Sequence, residues 1–211
     1  GREMKITRYE DMDNLCKDMM KEIGSIGTGN AATALSSMLQ TEVKMEVPRV
    51  ELLGFTEAVD HVGHPEDIVC CVLVQMEEGI DGMMLFLLKL DFINEILKRT
   101  LGKEIADYSE LGELELSAVT EVGNIIISNY VLSMSSLVGV QIGLSVPAVA
   151  INMLGGILSV PMAQIGHVSD KIFMIMGKCS IGGQNMESNV LLLPDIESLN
   201  FLMDRLVRPY D

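Results

Sequence analysis

The chain has 211 residues and a formal net charge of −15 at pH 7, and 48% of its residues are hydrophobic. The negative charge excludes general attraction to nucleic acid or to an anionic membrane surface, because both carry the same sign. The length suits one domain, and since Trp is absent and Met numbers 16, we expect an aliphatic core in which methionines fill irregular gaps.

The first half of the chain predicts a helix, a run of strands and a second helix. Residues 11–39 show helical periodicity, and the glycines Gly24, Gly27 and Gly29 within them indicate close helix packing, since no strand precedes them as in a phosphate-binding loop. The strands that we predict next are Thr41–Val47, Val50–Phe55, Ile68–Met76 and Gly82–Leu88. Asp91–Leu101 then reads as a helix that ends at Gly102.

The second half predicts the same order of elements. These are a helix over Glu113–Leu137, strands over Val140–Val146, Ala148–Met153, Lys171–Lys178 and Ser188–Leu193, and a helix that begins at Asp195. No Asp, Glu, Lys or Arg occurs from Val122 to Ser169, but polar residues interrupt this segment, whereas a membrane span needs about 20 mainly apolar residues. We therefore expect a buried centre shared by the two halves, and no membrane insertion.

Cysteine and histidine positions give no sign of a disulfide or a metal site. The four cysteines, which show no paired spacing, are Cys16, Cys70, Cys71 and Cys179. Reduced, buried thiols in the cytoplasm are the expectation, in keeping with an N-terminus that lacks the features of a signal peptide. The cluster of Asp60, His61, His64 and Glu66 is interpreted as a solvated polar loop, and we predict no metal.

A polar arrangement occurs twice, 99 residues apart. Its members are Asp18, Glu22, Ser25 and Pro48 in the first half, and Ser117, Glu121, Asn124 and Pro147 in the second. Positions i, i+4 and i+7 lie on one face of a helix, so each half presents a polar trio on its first helix. We therefore predict an α/β fold over residues 1–211: one pseudo-two-fold domain of duplicated helix–strands–helix units, about 11–102 and 110–207, with a mostly antiparallel sheet flanked by helices.

Glu121 and Asn124 are one helical turn apart and can act together. A carboxamide donates and accepts hydrogen bonds while a carboxylate only accepts, so the pair can orient a water molecule and anchor a cationic group. The sequence shows neither a Ser–His–Asp set nor a Cys–His pair, and an enzyme built on this pair would act mainly by positioning. An ordinary solvated helix face is the alternative, which the repetition of the trio makes less attractive. Pro48 and Pro147 are interpreted as strand-edge or turn residues.

The two spacings, Asp18-x3-Glu22-x2-Ser25-x22-Pro48 and Ser117-x3-Glu121-x2-Asn124-x22-Pro147, resemble the twin signatures of the CheC, CheX and FliY family of chemotaxis phosphatases. The resemblance implies that the substrate is the response regulator CheY bearing an aspartyl phosphate. It implies that the helix face enters the regulator's active site, where the regulator supplies Mg²⁺ and a lysine, so that the chain needs no cofactor of its own. Asn124 would then orient the attacking water and Glu121 would bind that lysine.

The sequence departs from the family pattern at two positions. Ser25 stands where the signature has Asn, and since a hydroxyl lacks the separate donor and acceptor of an amide, we predict that the first site is weak or silent. The resemblance also implies the receptor deamidase CheD as a partner, but Asn152 stands where family members present an acidic residue for that contact. The alternative function is a low-turnover adaptor that binds CheD, phosphorylated CheY or both.

Overall fold

The structure, a computed structural model, describes residues 14–165 and 171–207. The helices are α1 (Asn14–Leu39), α2 (Phe55–Val62), α3 (Leu90–Leu101), α4 (Glu113–Val138), α5 (Leu154–Ile165) and α6 (Ile196–Val207). The strands are β1 (Val43–Gly54), β2 (Ile68–Glu77), β3 (Gly82–Leu88), β4 (Gly143–Leu144), β5 (Ala148–Met153), β6 (Lys171–Ile181) and β7 (Gln184–Pro194). The predicted fold class, α/β with an antiparallel sheet flanked by helices, is confirmed.

All seven strands join one sheet in the order β1-β6-β7-β3-β2, with β4 and β5 both paired along the outer side of β2. Every pairing is antiparallel. At each edge of the sheet, the edge strand pairs with a strand from the other half of the chain: β1 pairs with β6, and β5 pairs with β2. Neither half can therefore complete its part of the sheet alone, which accounts for a single body instead of two separate domains.

The sheet is buried on both faces by different helices. In β2, Cys70, Val72 and Val74 face a core formed with α1, α3, α4 and α6. The alternate residues Val69 and Cys71 face a second core formed with α2 and α5. Near-continuous burial of the central strands follows, because successive side chains point to opposite faces and both faces are covered.

Two helices, α1 and α4, lie against each other on the first face. A Cβ added at Gly27 would lie 3.0 Å from the backbone Cα of Tyr130, so these helices approach as closely as the glycine pattern predicted. The buried Ser133 hydroxyl donates to the Ile23 carbonyl oxygen at 3.1 Å. Since residue 23 lies near 133 and residue 27 near 130, the two helices run antiparallel.

Two helices were not predicted from the sequence. Helix α2 follows β1 and contains Asp60 and His61, which the sequence analysis placed in a loop, and α5 follows β5. Each therefore follows an edge strand of the sheet and packs with the other on the second sheet face. Helix α2 buries Ala58, Val59 and Val62 over less than three turns, a pattern too short to distinguish from an irregular segment.

Several strand boundaries also differ from the predictions. The two strands predicted between residues 41 and 55 form the single strand β1, whose register with β6 shifts between Glu46 and Arg49. Pro48, which cannot donate to the ladder, lies at this shift on an edge strand. Of the strand predicted over Val140–Val146, only β4 forms. Residues 11–13 of the first predicted helix lie outside the described residues.

The charge-free segment from Val122 to Ser169 is buried only in part. Its α4 residues face the core, but β5 is an edge strand and leaves apolar side chains exposed, among them Ile151 and Met153, with Val146 just before it 87% exposed. The expectation of a wholly buried centre was therefore wrong for β5. None of the helices within the described residues is long and apolar enough to cross a bilayer.

The described cysteines are free and buried, as predicted, and the side chain of Cys16 lies outside the described part of the chain. Burial raises the pKa of Cys70 and of Cys179 to about 12, and it also raises the pKa of Cys71, so these thiols do not supply a thiolate nucleophile near neutral pH. Within 14–165 and 171–207, no group of His, Cys, Asp and Glu side chains is arranged to hold a metal ion.

Candidate functional site

Helix α4 carries the second trio, and local interactions fix both of its ends. At the start, the Lys103 ammonium donates to Glu115 in the first helical turn at 2.6 Å, and this hydrogen bond lowers the pKa of the Glu115 carboxyl. At the end, Gly139 adopts φ 72° and its N–H donates to the Ser135 carbonyl at 2.9 Å. This left-handed glycine ends the helix by satisfying a terminal carbonyl.

The second trio lies on the face of α4 turned away from the sheet. Ser117 and Glu121 are exposed and Asn124 is half-buried. On the opposite side of the helix, Gly123 lies directly against β2, where an added Cβ would be 2.6 Å from Val72 Cγ2. The close approach at Gly123 therefore sets the height of Asn124 above the sheet.

Asn124 has one side-chain hydrogen bond within the described residues. The Ser128 hydroxyl donates to its Oδ1 at 3.5 Å, which is long and correspondingly weak. The Asn124 amide N–H groups have no partner among the described residues, and Glu121 has no ion pair there. A carboxamide and a carboxylate thus stand side by side with their hydrogen-bonding capacity available to a ligand.

Exposed leucines lie on the same face at both ends of this polar stripe. Leu114 is 64% exposed and Leu132 is 62% exposed. They are 18 residues apart, which is five turns of a helix with 3.6 residues per turn, so both point in nearly the same direction as Glu121. The face is therefore polar in the middle and apolar at its ends, so a protein docked on it would bury exposed leucine on both sides of the polar pair.

The first trio lies on α1 and is also exposed, with Asp18, Glu22 and Ser25 all accessible to solvent. The Ser25 carbonyl accepts from the Thr28 hydroxyl at 3.0 Å, a bond within the helix that leaves the Ser25 side chain uninvolved. Pro147 directly precedes β5 at the edge of the sheet, as Pro48 lies within the opposite edge strand.

The structure does not bring the two trios together. Because α1 and α4 run antiparallel with residue 27 level with 130, Ser25 lies level with about residue 132 of α4. Asn124 is seven to eight residues further along, which corresponds to about 11 Å at 1.5 Å per residue. Each trio would therefore act as a separate site.

Three residues of this region were not predicted from the sequence. Gly123 was not recognised as a packing position, although it repeats Gly24 at the 99-residue offset. Ser128 continues the polar spacing of Asn124 by i+4, and Leu132 continues it by another i+4, so the helical period could have indicated both. The sequence did not reveal that the Leu132 side chain is exposed.

Comparisons with known proteins point to one family. A model of the CheC-like family matches residues 16–52 and 114–151, which contain both trios and both prolines. The chain is 29% identical over 191 residues to the CheY-P phosphatase CheC of Bacillus subtilis (strain 168), covering 88% of this chain and 90% of that protein.

Two further comparisons are with proteins named FliY. The chain is 32% identical over 149 residues to the flagellar motor switch phosphatase FliY of Bacillus subtilis (strain 168), covering 70% of this chain and 38% of FliY. The crystal structure of Thermotoga maritima FliY superimposes with a TM-score of 0.73 at 25% identity, covering 93% of this chain and 98% of that chain. The sheet and helices described above are thus shared by protein structures of this kind.

Proposed function

We propose that this chain is a member of the CheC-like family and a cytoplasmic phosphatase that hydrolyses the aspartyl phosphate of the response regulator CheY. One observation carries the proposal: Glu121 and Asn124 stand one turn apart on an accessible helix face, with the Asn124 amide N–H groups unpaired among the described residues. The relative named CheY-P phosphatase CheC aligns with 88% of the chain, including this helix.

In the proposed reaction, a water molecule attacks the phosphorus atom and the bond between phosphorus and the aspartyl oxygen breaks. The regulator regains its carboxylate, inorganic phosphate leaves, and one proton passes to solvent or phosphate. Asn124 aligns the water by hydrogen bonds, and Glu121 pairs with a lysine of the regulator and so fixes the register of the complex. Phosphoryl transfer depends mainly on alignment and charge stabilisation, so one well-placed amide is sufficient for this role.

The metal ion of the reaction is assigned to the regulator. Glu121 and Asn124 together offer too few oxygen ligands for Mg²⁺, which requires octahedral coordination. When bound in the regulator, the ion neutralises charge on the phosphoryl oxygens. The chain itself contributes the water-aligning amide and the anchoring carboxylate.

The first site is proposed to be weak or silent. Ser25 replaces the carboxamide by a shorter hydroxyl, and Gly29 stands where α4 has Ser128. At the position that corresponds to Leu132, α1 has the exposed Thr33. The first trio therefore lacks the carboxamide on which the proposed alignment of water depends.

The test is phosphate release from phosphorylated CheY in the presence of Mg²⁺. Asn124→Ala is expected to lower the rate by about 10- to 1,000-fold, equivalent to about 1.4–4 kcal/mol, because it removes the water-aligning group. Gln141→Ala, which removes an exposed carboxamide beyond the C-terminal end of α4, is the control and is expected to keep the parent rate. Ser25→Asn is expected to raise the rate if the first site still docks the regulator.

Two results would change this proposal. Equal rates for the parent, Asn124→Ala and Ser25→Asn would remove the assigned mechanism. Saturable binding of phosphorylated CheY without faster phosphate release would favour the adaptor, the alternative that the loss of one carboxamide supports.

CheD remains a proposed second partner. Asn152 is exposed on β5, and its Oδ1 accepts from the Met153 N–H at 2.7 Å. It lines an apolar groove of about 230 Å³ together with Cys71, Leu85 and Ile157. Repeating the release assay with added CheD measures whether this partner changes the rate.

A further inference from the structure

A second polar groove lies on the other side of the sheet from α1 and α4. It has a volume of about 320 Å³, and its lining includes Arg49, His61, Lys178 and Asn189. These residues come from β1, α2, β6 and β7, so the groove is built from elements of both halves. No part of the trios on α1 and α4 belongs to it.

The strand register places the groove residues in two neighbouring rows. Arg49 pairs with Met176, and Met176 pairs with Asn189, so these three side chains form one row across β1, β6 and β7. The Arg49 Nη2 lies 3.5 Å from the Met176 sulfur, which extends the guanidinium over Met176 in the direction of Asn189. Lys178 and Glu187 pair in the next row, two residues along the strands.

Asn189 is the unusual member of this set. It is only 8% exposed, and its carboxamide has no hydrogen-bond partner within residues 14–165 and 171–207. A buried polar group without a partner costs about 1–3 kcal/mol, whereas an apolar residue of the same shape is nearly neutral or stabilising. Packing alone would therefore favour leucine at this position, and the carboxamide, which lines the groove, is available to a ligand.

The groove also gathers positive charge in a strongly acidic protein. Lys178 has no ion pair within the described residues, and Arg49 has only an exposed contact with Glu51 at 3.4 Å. An exposed pair of this kind is worth little, so the guanidinium remains available. Glu187, the acidic residue of the lining, lies 3.6 Å from Lys89 and is thereby partly neutralised.

We propose that this groove binds an acidic peptide segment of a protein partner, with one carboxylate held by the Arg49 guanidinium and the Asn189 amide. A guanidinium fork matches the two oxygens of a carboxylate, and an amide N–H adds a third donor. Lys178 provides attraction for a second acidic side chain. Elsewhere the net charge of −15 repels acidic partners, so the groove gives them a specific place to bind.

The shape of the surface favours a peptide over a free ion. The groove continues past Lys178 and Glu187 into a second groove of about 620 Å³, whose lining adds Lys89, Asp91 and Asn185. A single phosphate would occupy a small part of this length and would face Glu187. An extended peptide can place carboxylates near Lys178 and Lys89 while its own N–H groups donate to Glu187.

The test uses a fluorescein-labelled hexaglutamate peptide and fluorescence anisotropy with the full chain in 50 mM NaCl. We expect saturable binding that weakens at 200 mM NaCl, because the contacts are partly exposed and are screened by salt. Arg49→Gln and Asn189→Leu are each expected to weaken binding by about tenfold. Lys44→Gln removes the same charge from the same strand outside the groove and is expected to change binding by less than about twofold.

Thermal unfolding of the variants separates a binding role from a structural one. Asn189→Leu is expected to keep or raise the melting temperature, because it removes an unpaired buried amide. A marked fall in the melting temperature of Asn189→Leu would show that the amide is structural, and would overturn its assignment to a ligand.

Three binding results would likewise overturn the proposal. These are the absence of saturable binding, an equal loss in Lys44→Gln and Arg49→Gln, and displacement of the peptide by inorganic phosphate at concentrations where glutamate has no effect. The first two would leave only non-specific attraction, and the third would identify a phosphate site.

Discussion

Replacing Gly123 by alanine is expected to destabilise the fold where α4 contacts the sheet. The added Cβ would lie 2.6 Å from Val72 Cγ2, 2.7 Å from Val72 Cβ and 2.9 Å from Val72 Cγ1. Rotation about χ1 exchanges the two methyl groups but leaves the Cβ in place. Since Val72 is 0% exposed in a strand paired on both sides, relief requires the helix or the strand to move.

The magnitude follows from two opposing contributions. Alanine is better than glycine in a helix interior by about 1 kcal/mol. Overpacking a close-packed core typically costs about 1–3 kcal/mol, and contacts below 3.0 Å with all three side-chain carbons of Val72 place Gly123→Ala at or above the upper end. The net destabilisation is about 2 kcal/mol, which for a protein of this size lowers the melting temperature by about 4–8 °C.

The assay is thermal unfolding followed by circular dichroism, with Gly29→Ala as the matched control. An added Cβ at Gly29 meets no atom within 4 Å, so this substitution is expected to stabilise the protein by about 0.5–1 kcal/mol through helix propensity. If Gly123→Ala melts at or above the parent temperature while Gly29→Ala behaves as expected, the inferred contact between α4 and β2 is wrong.

Gly123→Ala is also expected to affect phosphate release. Because Asn124 is the next residue, a displacement of α4 moves the carboxamide relative to the rest of the docking face. The rate per folded molecule should therefore fall in Gly123→Ala at a temperature where both proteins remain folded. Gly29→Ala should keep the parent rate.

The remaining predictions concern docking and the buried thiols. Leu132→Thr is expected to raise KM for phosphorylated CheY several-fold with little change in kcat, because it removes exposed apolar surface at the edge of the site. Leu137→Thr removes exposed apolar surface from another side of α4 and should leave both unchanged, and equal effects would exclude a docking role. In a Cys16→Ser background at pH 8, Ellman's reagent is expected to react with Cys70 and Cys179 only after unfolding, because burial raises the pKa of both to about 12, and rapid reaction of the native protein would contradict their burial.

Long helices and central strands could be predicted from the sequence because their signals are local and extended. Helix α3 was predicted to within one residue at its start, since its apolar period is regular and Gly102 adopts the left-handed conformation that ends it. Helix α6 begins directly after Asp195, which follows Pro194. The Asp195 carboxylate accepts a hydrogen bond from the Ser198 N–H at 2.7 Å. This is the N-cap that the prediction of a helix start at Asp195 anticipated.

The details of the site could not be predicted because α4 is apolar on most of its circumference. Its buried residues include Val122, Ile126, Ile127 and Tyr130, which together cover more than one side of the helix. The spacing of apolar residues alone then does not show which side of the helix faces the sheet, so the sequence did not indicate that Leu132 is exposed. The exposure of β5 could not be predicted either, because its sequence does not show that it is an edge strand, paired on one side only.

The two halves differ at exposed positions while the position that faces the sheet is kept. Gly24 and Gly123 are 99 residues apart, and a Cβ added at either would touch the sheet. Each helix must approach the sheet closely for the shared core to close, so a change there costs stability in either half. Ser25 is exposed and Asn124 is half-buried on the outer face of α4, so neither belongs to the core and a change there leaves the core intact. A duplicated fold of this kind can therefore lose one of two surface sites without losing stability, and under the proposed function the reaction then depends on Asn124.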